Sequence, residues 1–233
     1  MSFARLSGPA TGPELLPAGH TFAGLRRNHA GLLLADPAWS FETWSEKGTT
    51  ERSAGSKYQT MTTDEICAMP VRDIVADDCA LALWITAPFM VIGDHVRVNR
   101  AWGFEPSALL FVWIKVGSHV QYGRLVKWDE NVFRSLMGLS ASRQNAEFVI
   151  LGRRGSPKRM SAKVRSIIAA PELYDPDIIF SQLREHSRKP DEQYPRIEEL
   201  FSGPYVEINA RQQRAGWDAW GDQVEMFGTE AAE

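Results

Sequence analysis

The chain has 233 residues, and its 44% hydrophobic and 24% charged content is that of an ordinary globular protein. Its formal net charge of -3 at pH 7 excludes a polycation that binds nucleic acid with its whole surface, so such binding needs a local basic patch. The length suits one domain with a sizeable core and is short for two.

Signals for metal binding, secretion and membrane insertion are missing from the sequence. Only Cys67 and Cys79 are present, without metal-ligand spacing, and the five histidines are scattered. We therefore predict no metal site and a reducing, cytoplasmic location. The longest apolar region, residues 79–93, is shorter than the ~20 residues of a membrane-spanning helix, and no signal peptide is evident.

The first strongly patterned stretch follows an irregular arm. Residues 1–25 are rich in glycine and proline, with an edge strand predicted at 21–25. The apolar run at 31–35 then leads into Asp36, Pro37 and Trp39, which predicts a buried strand of a parallel sheet. Pro37 keeps Asp36 extended at the carboxyl end of this strand, where ligands bind in open α/β sheets. The Asp36 carboxylate and Pro37 carbonyl are acceptors and Trp39 is a flat apolar plate, so the three suit a planar base with an amino group.

The sequence from residue 40 to residue 165 indicates several strands and helices, followed by a basic segment. Residues 40–57 form a polar loop and a candidate lid that ends at Tyr58. The sequence Thr-Thr-Asp-Glu at 62–65 is a capping box that starts a helix through residue 74, which Pro70 interrupts. Further strands are predicted at 79–86, 108–115 and 147–152, and a helix at 88–103 with Phe89, Ile92, Val96 and Arg100 on one face. Residues 116–145 are too long for a hairpin.

A basic segment follows the last of these strands. It is either an ordinary solvated segment or a grip on nucleic-acid phosphates. Its members are Arg153, Arg154, Lys158, Arg159, Lys163 and Arg165, with no acid among them. Downstream, we predict a short strand at 164–169, an acidic connection at 171–184, a helix at 190–201 and a strand at 205–210.

Four motifs together resemble one enzyme family. The sequence DPAW at 36–39 is similar to the DPPW motif of the MT-A70 family of S-adenosylmethionine-dependent adenine-N6 methyltransferases. HSRKPDE at 186–192 resembles the family's SHKPDE segment. VEINAR at 206–211 and WDAWGDQ at 217–223 resemble its ELFGR strand and its W-x-x-x-G-N-Q ending. The likeness covers residues 30–224.

The resemblance implies a single methyltransferase domain at residues 26–228, with an N-terminal arm at 1–25 and a tail at 229–233. The expected fold class is α/β, with a Rossmann-like, mostly parallel sheet in the permuted, β-class motif order, so that the catalytic strand precedes the cofactor-binding half. The expected reaction moves the methyl group of S-adenosylmethionine to adenine N6 in nucleic acid, with DNA favoured over RNA. A chain of this length leaves little room for a separate target-recognition domain, so the expectation is either relaxed specificity or a homodimer or partner subunit that supplies it.

The resemblance also assigns roles to individual residues. Asp36 and Pro37 would accept the hydrogens of the target amine, and Trp39 would stack on the base. The expected cofactor contacts are Asp36, Ser187, Lys189, Arg211, Gln212, Gln213, Arg214, Asp222 and Gln223. The expected substrate contacts are Tyr58, Arg143, Arg153, Arg154 and Lys158.

Some positions depart from the family pattern. Ala38 replaces the second proline of DPPW, so the loop loses a fixed φ and gains an N–H donor. Asp222 stands in place of Asn, which removes a donor toward the cofactor's adenine. Arg188 replaces His, and Gln213 and Arg214 replace a His-Asn pair. These departures keep two alternatives open, a catalytically inactive nucleic-acid-binding subunit of the same fold and an enzyme that methylates a small molecule.

Overall fold

The computed structural model describes residues 13–40, 60–116, 146–164, 179–182, 188–224 and 229–230, and its main feature is a seven-stranded sheet. The strands are β1 (Ala30–Ala35), β2 (Val75–Thr86), β3 (Glu105–Val116), β4 (Ala146–Arg154), β5 (Ile179–Gln182), β6 (Tyr205–Ile208), β7 (Gln213–Arg214), β8 (Trp217–Trp220) and β9 (Thr229–Glu230). The large sheet has the order β5-β3-β4-β2-β1-β6-β8, and β7 pairs separately with β9.

The sheet is mostly parallel. β1 pairs in parallel with β2 and β6, β6 with β8, and β3 with β5, whereas β4 runs antiparallel to both β2 and β3. Six strands of the large sheet therefore share one direction, and β4 is reversed. The prediction of an α/β fold with a mostly parallel sheet is confirmed.

Helices cover both faces of the sheet. They are α1 (Thr63–Ala68), α2 (Ala87–Ile92), α3 (Asp94–Ala101) and α4 (Gln193–Leu200), with a 3₁₀ turn at Val71–Asp73. Leu33 and Ala35 of β1 pack in one core with Ile66 and Val98 of α1 and α3. Leu32 and Leu34 point the other way and pack with residues of α4. Both faces of β1 are buried, which explains its uninterrupted apolar run.

The strand register gathers several chain segments at one edge of the sheet. Ala35 is paired with Ile208, and Ile208 with Trp220, so the residues that follow β1, β6 and β8 leave the sheet side by side. Glu147 near the start of the reversed β4 lies opposite Thr86 at the end of β2. This carboxyl edge is where open α/β sheets bind ligands.

Two predicted elements near the N-terminus need correction. Residues 21–25 are not an edge strand, because tight turns from His20 N to Pro17 O and from Ala23 N to His20 O fold them back. The capping box of Thr62 and Glu65 is present, but α1 ends at Ala68. The 3₁₀ turn follows after Pro70, which has no N–H to continue an α-helix.

The helix predicted at 88–103 is two helices, because Gly93 adopts a left-handed φ of 88° between α2 and α3. This break turns Ile92 outward, where it is 69% exposed, and α3 buries Asp94, Val98 and Asn99 instead of the predicted face. β5 lies within the acidic connection predicted at 171–184, for which no strand was predicted. Most of the strand predicted at 164–169 lies outside the described residues.

The helix predicted at 190–201 is shorter at both ends. Residues 190–192 form a turn in which Gln193 N donates to Pro190 O and Tyr194 N to Asp191 O, both at 3.2 Å. α4 then runs from Gln193 to Leu200. Among the described residues, we find no helix long and apolar enough to cross a membrane.

Candidate active site

Asp36 lies where two clefts meet at the carboxyl edge of the sheet. The narrow cleft is lined by Asp36, Arg188, Lys189, Asp191, Gln193, Tyr194, Glu207, Asn209, Arg211 and Gln212. The wide cleft has a volume of about 320 Å³ and is lined by Asp36, Ala38, Thr60, Met61, Glu65, Asn209, Ala210, Arg211, Trp220, Asp222 and Gln223. The structure therefore brings six of the predicted site residues to the same edge of the sheet, namely Asp36, Lys189, Arg211, Gln212, Asp222 and Gln223.

A chain of alternating charges extends inward from Asp36. Lys189 Nζ donates to Asp36 Oδ2 at 2.8 Å and lies 3.3 Å from Glu147 Oε2. Lys115, at the end of β3, donates to the other oxygen of Glu147. The side chains of Lys189 and Lys115 are only 9% and 4% exposed, so these contacts are shielded from solvent. The chain of charges fixes the carboxylate of Asp36 by one of its two oxygens.

Charge pairing keeps the buried members of this chain ionised. Burial alone would raise the pKa of Glu147, but the ammonium groups of Lys189 and Lys115 overcome it and lower the pKa to about 2. Burial alone would likewise lower the pKa of Lys189, but Asp36 and Glu147 raise it above its ordinary value. Lys189 is therefore a fixed positive charge and not a proton donor near neutral pH.

Glu207 behaves differently from Glu147. Burial, assisted by the nearby negative charge of Asp36, raises the pKa of Glu207 to about 8, against the opposing hydrogen bond from Tyr194. Tyr194 donates its hydroxyl to Glu207 at 3.0 Å, and Arg214 lies 4.0 Å from the centre of the Tyr194 ring. The floor of the narrow cleft thus holds a carboxyl group that is mostly protonated at pH 7.

The predicted cofactor residues after β6 separate into two groups. Arg211 lines both clefts, and Gln212 is buried in the narrow cleft, where it accepts a hydrogen bond from Arg188 at 3.2 Å. Gln213 is exposed, and Arg214 lies behind Tyr194, so neither lines the two clefts. These two residues form β7, which pairs with β9 and not with the large sheet.

The predicted role of Trp39 as a stacking plate does not agree with the structure. Trp39 is 5% exposed, stacks on Phe89 with a centroid distance of 5.0 Å, and donates its indole N–H to Trp84 O. Pro37 is buried, and its carbonyl accepts the Trp39 backbone N–H at 2.9 Å. One lone pair of that carbonyl is therefore engaged, and Trp39 supports the loop from within the core.

The basic segment lies at the opposite edge of the sheet from Asp36. Arg153 and Arg154 pair with Ala80 and Cys79 at the start of β2, because β4 runs against its neighbours. Further along, Met160 N donates to Leu200 O, before the start of β6. Ala35 pairs with Leu83 of β2 and Arg153 with Ala80, so Arg153 lies four residues back along the sheet and two strands across from Asp36, roughly 16 Å away at ~3.3 Å per residue and ~4.8 Å per strand. Arg153 and Arg154 therefore do not lie directly beside Asp36, and the contact of Arg153, Arg154 and Lys158 with nucleic-acid phosphates stays a prediction.

Three predicted site residues, Tyr58, Arg143 and Ser187, lie outside the described residues. In return, the structure adds Lys115, Glu147, Arg188 and Asn209, which were not among the predicted site residues. A signal for the first two existed in the sequence, since each is a charged residue at the end of an apolar strand. Their pairing was not predictable, because it depends on the register between β3 and β4. Among the described residues, no cluster of side chains suited to a metal is found.

Comparison with known proteins indicates the family of the chain. The model of the MT-A70 family matches residues 31–223, which is most of the chain. The type II methyltransferase M.MunI from Mycoplasma is 26% identical over 225 residues, covering 89% of this chain and 83% of M.MunI. A rice protein named as a probable MT-A70-like N6-adenosine methyltransferase is 26% identical over 200 residues, and the human catalytic subunit METTL3 is 24% identical over 200 residues.

The length of the relatives differs greatly. The match covers 83% of this chain in both the rice and the human comparison, but only 23% and 28% of those two proteins. The chain therefore corresponds to one part of these long proteins and to most of M.MunI. The matched region includes both clefts and the strands that form them. The chain belongs to the MT-A70 family, whose members are adenine-N6 methyltransferases that use S-adenosylmethionine as methyl donor.

Proposed function

We propose that this protein transfers a methyl group from S-adenosylmethionine to N6 of adenine in DNA. The observation that carries the proposal is the position of Asp36 at the junction of the two clefts, with Oδ2 held by Lys189 and Oδ1 without a hydrogen-bond partner among the described residues. A fixed acceptor of this kind suits a weakly nucleophilic aromatic amine, whose hydrogens it can bind.

The residues of the clefts fit the methyl donor. In the narrow cleft, the cations Arg188 and Arg211 suit a carboxylate, and oxygen acceptors that are unengaged among the described residues suit an ammonium group. A carboxylate and an ammonium group are the two charged groups of an amino acid. The wide cleft offers Asp222 and Gln223, whose acceptors and donors suit the edge of an adenine. When bound, S-adenosylmethionine supplies an electrophilic methyl group.

The chain's own residues orient the nucleophile. Asp36 Oδ1 accepts a hydrogen from the exocyclic amine, and the second lone pair of the Pro37 carbonyl is the other acceptor. This arrangement aims the nitrogen lone pair and stabilises the positive charge that develops on nitrogen. Lys189 holds the carboxylate in one orientation through its bond to Oδ2. A deep general base is unnecessary, because the nitrogen becomes acidic once it is alkylated.

The element order supports a permuted Rossmann-like fold as part of the same proposal. Asp36 follows β1, the first strand, whereas the residues proposed for the cofactor follow β6 and β8, late in the chain. A β-class arrangement places the catalytic motif before the cofactor motif in this way. Strand order in the large sheet then makes β1 and β6 neighbours, so that the two motifs share one edge.

DNA is the proposed substrate because the chain spans most of M.MunI, a type II methyltransferase, and only a small part of the longer N6-adenosine methyltransferases. An adenine in duplex DNA has to leave the base stack to reach Asp36. The alternative is an inactive nucleic-acid-binding subunit, which Ala38 and Asp222 favour because both depart from the family motifs and both line the wide cleft.

The test is identification of the product nucleoside. The protein is incubated with methyl-labelled S-adenosylmethionine and either duplex DNA or single-stranded RNA, and the digested nucleosides are analysed by mass spectrometry. We expect label in N6-methyldeoxyadenosine. Label in N6-methyladenosine alone would assign the substrate to RNA, and cofactor binding without a methylated nucleoside would favour the inactive subunit.

A second prediction concerns the basic segment. Because neither Arg153 nor Lys158 lines either cleft, we expect the double replacement R153Q and K158Q to change kcat/KM for the nucleic acid by no more than about two-fold. Steady-state methylation rates on the proposed DNA substrate measure this change. A ten-fold fall would show that the nucleic acid reaches both edges of the sheet and would contradict the single-edge site.

A further inference from the structure

Two large aliphatic side chains are exposed next to each other at the end of α2, and we call this pair, Val91 and Ile92, the apolar tip. Val91 is 81% exposed and Ile92 is 69% exposed, the two highest values for a large apolar side chain among the described residues. Gly93 ends the helix directly after them, and a Cβ added there would meet no atom within 4 Å. None of the six residues of α2 is buried. The apolar tip therefore faces open space.

The apolar tip lies beside the loop that carries Asp36. β1 and β2 run in parallel and Ala35 pairs with Leu83, so Asp36 and α2 leave the same edge of the sheet from neighbouring strands. Phe89 of α2 stacks on Trp39, with a centroid distance of 5.0 Å, which fastens the helix to residues 36–39. The six residues of α2 span only about 9 Å at ~1.5 Å each, so the tip stays close to that contact. A substrate that delivers its adenine to Asp36 therefore passes next to the tip.

The charges and the size of this surface indicate what contacts it. On the following helix, α3, Arg97 bonds Asp64 at 2.6 Å and Asp94 at 3.3 Å, and Arg100 lies 3.6 Å from Glu105. These cations are already paired with carboxylates, so the surface suits the apolar faces of bases better than phosphates. Two side chains also fall well short of the ~1,000 Å² that a stable protein interface buries. One or two aliphatic side chains are, however, the size of the wedges that proteins insert between base pairs.

We propose that Val91 and Ile92 form a wedge that enters the base stack of duplex DNA where the target adenine has been flipped out. The inference rests on the proposed function, because only an adenine of duplex DNA has to leave a stack to reach Asp36. Its departure leaves a gap between the neighbouring base pairs. The wedge fills this gap with apolar contact and opposes the return of the base, so it stabilises the flipped state. An adenine in a single strand leaves no such gap and needs the wedge much less.

The experiment compares two DNA substrates with the full chain. One is a duplex that contains the target adenine, and the other is the single strand of the same sequence. The double replacement V91A and I92A shortens the wedge, and because both side chains are exposed it leaves folding intact. Methylation is measured with methyl-labelled S-adenosylmethionine as kcat/KM on each substrate. We expect the ratio of the duplex value to the single-strand value to fall at least about ten-fold in the double variant.

A second readout and two further variants complete the design. A duplex with 2-aminopurine at the target position becomes more fluorescent when that base leaves the stack, and we expect a smaller increase with the double variant than with the wild type. I92L keeps a wedge of the same size and is expected to retain both signals. L15A is the matched control, since Leu15 is an aliphatic residue that is 58% exposed and lines neither cleft. We expect it to change the ratio by no more than about two-fold.

Three results would overturn the inference. They are an unchanged ratio in the double variant, an equal loss on the duplex and the single strand, and a wild-type dimer in sedimentation velocity that the double variant dissociates. The last result would assign the apolar tip to an interface between copies of the chain. In each case the wild-type protein still methylates DNA, so the proposed function survives. A wild-type protein that methylates neither DNA substrate would overturn the proposed function together with the inference.

Discussion

Replacing Asp36 by Asn is expected to lower kcat for adenine methylation by about 10²- to 10³-fold, the loss typical of removing one preorganised polar group from a transition state. The Asn amide nitrogen is a donor and would meet the donor groups of Lys189 or of the target amine. The positive charge that develops on N6 would also lose its counter-charge. Single-turnover rates with saturating cofactor and DNA measure the effect on the chemical step.

The matched control for this variant is Asp218→Asn. Asp218 is a carboxylate on β8 that bonds Arg26 at 3.1 Å, and it lines neither of the two clefts. We expect its kcat to remain within about two-fold of the wild type, as for an ordinary surface substitution. If Asp36→Asn also kept its rate within a few-fold of wild type, Asp36 would not be the acceptor of the target amine.

Replacing Glu147 by Gln is expected to reduce the free energy of unfolding by about 3 kcal/mol at pH 7, because it removes the anion shared by two buried lysines. That loss is a large fraction of the ~5–15 kcal/mol that stabilises a typical domain. Urea unfolding followed by tryptophan fluorescence measures it. Glu105→Gln is the control, since Glu105 is 75% exposed in its ion pair with Arg100 and is expected to contribute well under 1 kcal/mol.

The same glutamate predicts a pH dependence with a definite sign. Its pKa is lowered from 4.5 to about 2 in the folded protein, so its stabilising contribution is complete above about pH 4.5 and is lost as the pH falls toward 2. The difference in unfolding free energy between wild type and Glu147→Gln should therefore shrink over that range. A difference that stays constant from pH 7 to pH 3 would contradict the buried charge chain.

Local sequence patterns were sufficient for the elements whose signal is contained in a few residues. The apolar run before Asp36 predicted β1 because a strand buried on both faces needs no alternation, and the Thr62–Glu65 box predicted the start of α1. The same reasoning was inadequate for the helix predicted at 88–103. A left-handed conformation at Gly93 leaves no mark in apolar periodicity, yet it rotates the buried face of everything that follows.

The sequence alone identified the family, because Asp36, Lys189, Arg211, Asp222 and Gln223 occur in motifs that resemble those of its members. Only the tertiary structure decided which residues share an edge of the sheet. The reversal of β4 carries Arg153 and Arg154 away from Asp36 and brings Glu147 toward it, and strand direction is set by long-range pairing. The tertiary structure also decided which side chains are buried. Trp39 became a core residue, and the side-chain oxygen of Asn209 is buried without a hydrogen-bond partner in the described structure.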